Sequence, residues 1–115
     1  MRALLLVLVL GAMLGCAPGP LAAQPSEAAV TIDNFVFGPQ RLTVKAGTTV
    51  TWTNRDDIPH TVVAPGHFKS KVLDTGESYS FTFSTPGEYA YFCSLHPHMT
   101  AAVVVEAAGA EAVRP

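Results

Sequence analysis

From Ala29 onward the apolar residues of this chain fall in short runs, several of them alternating with polar residues, that glycine and proline keep interrupting. A period of two places alternate side chains on opposite faces of a strand, whereas a helix would need a repeat near 3.6. The runs fall at 29–37, 41–47, 48–54, 61–64, 78–84, 88–93 and 101–107. Val50 and Trp52 share one face of their run and threonines the other. Tyr79, Phe81 and Phe83 alternate with serines and a threonine. Gly38-Pro39, Ala46-Gly47, Pro65-Gly66 and Pro86-Gly87 supply the turns. No helical period and no internal repeat competes with this pattern. The expected fold class is therefore all-β, a Greek-key β-sandwich of about seven to eight strands. Trp52, Phe81, Phe83, Tyr89 and Tyr91 are expected in its core.

The beginning of the chain follows different rules. MRALLLVLVLGAML is a charged start followed by an apolar run, the n-region and h-region of a secretory signal peptide. The small residues of LAAQ suit cleavage after Ala23, giving a signal peptide over 1–23. MLGC resembles a bacterial lipobox and would instead make Cys16 a lipid-anchored N-terminus. Both readings put the domain outside the cytoplasm, in a periplasm or cell envelope. Residues 24–28 read as a linker, 29–107 as the folded domain and the Ala-rich 108–115 as a flexible tail. Without Arg2 the balance is six basic against nine acidic side chains. That balance gives no reason to expect nucleic acid as a partner. A monomer is expected.

Cys93 is the single cysteine of the domain. An exported thiol with no disulfide partner needs protection or employment. Its neighbours suggest employment: Cys93, His96 and Met99 are spaced C-x2-H-x2-M in the connection between the last two runs. A fourth donor must come from elsewhere, and His60, closing NRDDIPH after the Trp52 run, is the obvious candidate. Loops cluster at the ends of a sandwich, so the two segments can meet there. Two imidazoles, a thiolate and a weak axial thioether form the donor set of a blue-copper site. Zinc suits the set less well, because thioether is a poor zinc ligand. A Cys93–His96 nucleophile–base pair would lack an orienting acid and leave Met99 without a role.

GEYAYFCSLHPHMTAAVVVE, with NRDDIPHTV upstream, resembles the cupredoxin family, and its compact ligand loop is most similar to that of the amicyanins among them. The resemblance implies one copper ion held by His60, Cys93, His96 and Met99. It also implies a role shuttling single electrons between redox proteins that dock near His96, beside Pro59, Leu95 and Pro97. The alternative is periplasmic copper storage or delivery. Two departures stand out. Thr61 replaces the asparagine that usually follows the first histidine ligand; its hydroxyl can still tie the ligand loops together, and its N–H can point at the Cys93 sulfur. His98 stands where amicyanins carry an aromatic. His98 and His67 are expected at the surface, and Asp56 and Asp57 are expected to be solvated.

Overall fold

The computed structural model describes residues 26–109. The signal peptide, the lipobox cysteine and most of the tail lie outside them. Nine strands occur in the order β1 Glu27–Asp33, β2 Val36–Gly38, β3 Arg41–Lys45, β4 Thr48–Asn54, β5 Val63–Ala64, β6 Phe68–Lys69, β7 Ser78–Phe83, β8 Gly87–Cys93 and β9 His96–Glu106. They form two sheets, β2-β1-β4-β7 and β3-β9-β8-β5-β6. Both sheets are mixed, because β1 runs parallel to β4 and β3 runs parallel to β9. The connections β2–β3, β3–β4, β4–β5, β6–β7 and β7–β8 cross between the layers, and the all-β sandwich expected from alternation is the architecture observed.

The alternation decides which side chains fill the space between the sheets. Val30, Ile32, Phe37, Val50, Trp52 and Phe83 face inward from the first sheet; Val44, Tyr91, Val103 and Val105 face inward from the second. Trp52 is fully buried at the centre, with its ring 5.5 Å from Phe68 and 5.5 Å from Tyr91. Burial pushes the Tyr91 phenol up to about 12. On the solvent face of β4 and β7, the hydroxyl pairs Thr49–Thr82, Thr51–Ser80 and Thr53–Ser78 bridge the strands at 2.7, 2.7 and 2.8 Å. This is the polar face that the serine and threonine alternation required.

Three details depart from the sequence reading. The run 29–37 is a hairpin: β1 turns back at Asn34 and Phe35, both with positive φ (50° and 61°), and Asp33 pairs with Val36. A two-residue turn with both φ values positive matches the twist of the strands it joins. Phe68–Lys69 adds a short strand at the edge of the second sheet. The last strand starts at His96 rather than Ala101, so the metal-ligand candidates sit on a strand and its tight turn rather than in an open loop.

Candidate metal centre

β8 delivers Cys93 to the site. Tyr91 and Cys93 continue its inward series, and Cys93 is completely buried. The chain then reverses through Ser94 and Leu95. Register is regular as far as Phe92 opposite Thr100 and then jumps, so that Cys93 faces His96. Residues 97–99 have no partner in this ladder and bulge out. A bulge re-aims side chains. Here it leaves His96 beside Cys93 while Met99, 6% exposed, returns to the interior series of β9.

His60 arrives from the other segment. Its backbone is fixed by two hydrogen bonds with the buried Leu73, His60 N to Leu73 O at 3.1 Å and Leu73 N to His60 O at 2.8 Å. Its ring is fully buried. His60 Nδ1 lies 3.6 Å from Cys93 Sγ, Cys93 Sγ 3.6 Å from His96 Nδ1, and the two Nδ1 atoms 3.2 Å apart. The point equidistant from the three atoms lies about 2.0 Å from each. Imidazole–metal bonds measure about 2.0–2.1 Å and thiolate–metal bonds about 2.3 Å. The triangle thus fits one small d-block ion, slightly tight on the sulfur side. Two imidazoles and one thiolate in a plane favour copper over harder ions.

The surrounding residues hold this triangle in place. Thr61 N–H donates to Cys93 Sγ at 3.4 Å. Thr61 Oγ1 accepts from Ser94 N at 2.8 Å and bonds Ser94 Oγ at 2.8 Å. Its hydroxyl therefore ties the His60 segment to the Cys93 turn, as the sequence reading anticipated. Burial raises the Cys93 thiol. The Thr61 N–H, the two imidazoles and the Leu95 N–H outweigh it and bring the thiol down to about 6. A thiolate is the form that ligates metal.

Asp56 is a correction. It was expected to be solvated, but it is buried, and its Oδ2 sits 2.9 Å from His60 Nε2. The cause is local: Asp56 N donates to Asn54 Oδ1 at 2.9 Å, which closes the loop and turns the carboxylate inward. The same Oδ2 accepts Phe35 N–H at 3.1 Å, and Oδ1 accepts Asp57 N–H at 3.0 Å. The His60 ring N–H, followed by these backbone donors, holds the Asp56 carboxyl below the usual carboxylate range. A carboxylate on Nε2 leaves Nδ1 as the lone-pair atom facing the triangle. The i,i+4 spacing of Asp56 and His60 was the available signal. Asp57 is exposed, as expected.

Phe35 gave no signal in the sequence. Its ring meets both imidazoles of the triangle edge-on, 5.6 Å from His60 and 5.0 Å from His96, while remaining 48% exposed. A bulky residue at positive φ is unusual and tends to persist where the surroundings hold it; the Asp56 carboxylate does so here. His96 is half-buried, with exposed Pro59, Leu95 and Pro97 as near sequence neighbours of the two histidines. His98 is exposed on the bulge. His67 is exposed and edge-on to Tyr89 at 4.9 Å, outside the cluster.

A two-layer β-sandwich that converges two imidazoles and a thiolate on one point, with a buried methionine on the adjoining strand, defines a mononuclear copper-site protein. Residues 4–105 match the model of the cupredoxin-like domain, and the chain belongs to that family. It is 37% identical over 94 residues to amicyanin-alpha of Methylorubrum extorquens, covering 73% of this chain and 76% of that one. It is 41% identical over 82 residues to the chloroplastic plastocyanin of Tetradesmus obliquus, covering 61% of this chain and 55% of that one. It also superposes on the copper-containing nitrite reductase of Thermus scotoductus with a TM-score of 0.67 and 34% identity, covering 78% of this chain but 24% of that enzyme.

Proposed function

We propose that the protein is a mononuclear blue-copper electron carrier, with His60, Cys93 and His96 as the in-plane ligands and Met99 as the axial ligand. The observation that carries this reading is the triangle of donor atoms, with edges of 3.6, 3.6 and 3.2 Å, among side chains already locked in place. Bound copper would supply one-electron chemistry between Cu(I) and Cu(II). The chain's contribution is to keep the donors still. His60 is held by Asp56 and Leu73, Cys93 by Thr61, and the two segments by the Thr61–Ser94 bonds. Donors that do not move between oxidation states keep the reorganisation cost of electron transfer low.

Partners are redox proteins that dock where His96 reaches the surface, among Phe35, Leu95 and Pro97. The role is that of a carrier, a reading supported by the likeness to amicyanin and plastocyanin over most of the domain. It works outside the cytoplasm, delivered by residues 1–23. Full burial of His60 and Cys93 argues against ready exchange of the ion, and so against storage or delivery as the main task.

Adding Cu(II) to the purified protein and recording visible absorption and electron paramagnetic resonance tests the reading. A strong thiolate-to-copper band with narrow copper hyperfine splitting is expected, and it should vanish in Cys93→Ser. A pale, ordinary Cu(II) spectrum in the wild type would overturn it.

A further inference from the structure

Thr61 carries one hydroxyl proton, and the atoms around it decide where that proton goes. The residue is buried, so water is not a ready partner. Three atoms surround its Oγ1: Ser94 N and Ser94 Oγ, both at 2.8 Å, and Cys93 Sγ at 3.8 Å. A hydroxyl has one proton to give and two lone pairs to fill. The Ser94 amide can only donate, and it fills the first lone pair. Two arrangements remain for the rest. In one, Thr61 donates to Ser94 Oγ, which leaves the second lone pair empty and the sulfur without the hydroxyl. In the other, Ser94 Oγ donates to Thr61, which fills the second lone pair and frees the Thr61 proton for the sulfur. Ser94 is exposed, so water can serve its hydroxyl in either case. Cys93 is completely buried and has no such recourse. As a metal-bound thiolate it is an anionic acceptor, and hydrogen bonds to ionised groups are about twice as strong as neutral ones. Its other donors are few. Once the His60 and His96 nitrogens turn their lone pairs to a metal they donate nothing to the sulfur, which leaves the backbone N–H groups of Thr61 and Leu95.

We propose that the Thr61 hydroxyl donates to the Cys93 sulfur, which makes Thr61 a positioning residue that raises the reduction potential of the site. The proposal deepens the copper reading above and rests on it. The hydroxyl draws electron density from the sulfur while its lone pairs hold Ser94. A reduced site holds one more electron than an oxidised one, so its sulfur is the better acceptor and gains more from the bond. The bond therefore favours the reduced form and poises the carrier to accept electrons. No proton moves in the exchange. The hydroxyl keeps its own, and the single electron comes from one redox protein and leaves to another. The threonine that departs from the usual asparagine thus places a donor beside the sulfur as well as a tie between the segments.

The test is voltammetry and resonance Raman spectroscopy of the copper-loaded variants at one fixed pH. Thr61→Val keeps the shape of the side chain and the backbone N–H but has no hydroxyl. At a fixed electrode potential its ratio of oxidised to reduced protein should exceed the wild-type ratio roughly threefold to tenfold, a fall in reduction potential of about 30–60 mV at ~59 mV per tenfold. Its copper–sulfur stretching frequency should rise, because the sulfur gives the metal the density it no longer shares with the proton. Thr61→Ser restores the hydroxyl and should return both readings toward wild type. Merely loosening the tie between the segments would lengthen the copper–sulfur bond and lower the frequency. An unchanged potential in Thr61→Val, or an unchanged or lower frequency, would therefore overturn the proposal. So would a Thr61→Ser protein that behaves like Thr61→Val. Ser94→Ala removes the competing acceptor; a rise in its potential would mean that the proton had pointed at Ser94 and would overturn the proposal as well. A wild-type protein that never turns blue would instead remove the copper reading on which the proposal stands.

Discussion

Thr61 offers a direct measure of how firmly the His60 and Cys93 segments are tied. Its Oγ1 makes two contacts at 2.8 Å, one to Ser94 N and one to Ser94 Oγ, and the residue is 4% exposed. A neutral hydrogen bond contributes about 0.5–1.5 kcal/mol net, so Thr61→Ala should cost the metal-free domain about 1–3 kcal/mol. For a domain of this size about 1 kcal/mol corresponds to roughly 4–8 °C in Tm, which puts the expected fall at about 4–24 °C. Ser94→Ala keeps its own N–H and so keeps one of the two bonds; it should lose about half as much. Calorimetry of the metal-free variants, with amide exchange at Ser94, checks both numbers. The copper-loaded Thr61→Ala protein should also surrender copper faster to a chelator, since the His60 and Cys93 segments can then separate. Equal Tm losses in the two variants, or a Thr61→Ala loss below about 2 °C, would refute the assignment of the tie to this hydroxyl.

Other outcomes follow from the same geometry. Asp56→Asn removes a negative charge that touches His60 Nε2 and should raise the reduction potential measured by voltammetry, because Cu(II) loses more stabilisation than Cu(I); an unchanged or lower potential would show that the carboxylate does not act through the imidazole. The metal-free domain should gain stability as pH rises from about 6, the folded Cys93 value, toward the unfolded thiol's ~8.5, and lose it again as pH falls through 6. Cys93→Ser should lack that rise, and identical melting profiles in the two proteins would sink the argument. Trp52→Ala empties the centre of the sandwich, at a cost of about 3–5 kcal/mol. Chemical denaturation should show the variant mostly unfolded or close to it.

Much of the candidate site was legible because its chemistry is local. Cys93, His96 and Met99 lie within seven residues, and few environments other than a metal site give a thiol, an imidazole and a thioether a shared purpose. The fold class was legible for a similar reason: β4 alternates buried and half-buried residues without a break, which one burial period produces directly. The positioning shell was harder to read. Asp56 looks like any loop acid until Asn54 closes the turn beneath it. Phe35 looks like one more aromatic in a strand until the chain reverses at Asn34.

Sequence alone determined the side-chain chemistry and the strand period, since donor identity and alternation are properties of consecutive residues. Tertiary structure alone decided the register jump that separates His96 from Met99, the distance at which His60 meets Cys93, and the carboxylate that links the His60 imidazole to the backbone N–H of Phe35. The last two are contacts between segments 21 to 33 residues apart. Their geometry is set by how two twisted sheets pack, a constraint that no short stretch of chain contains.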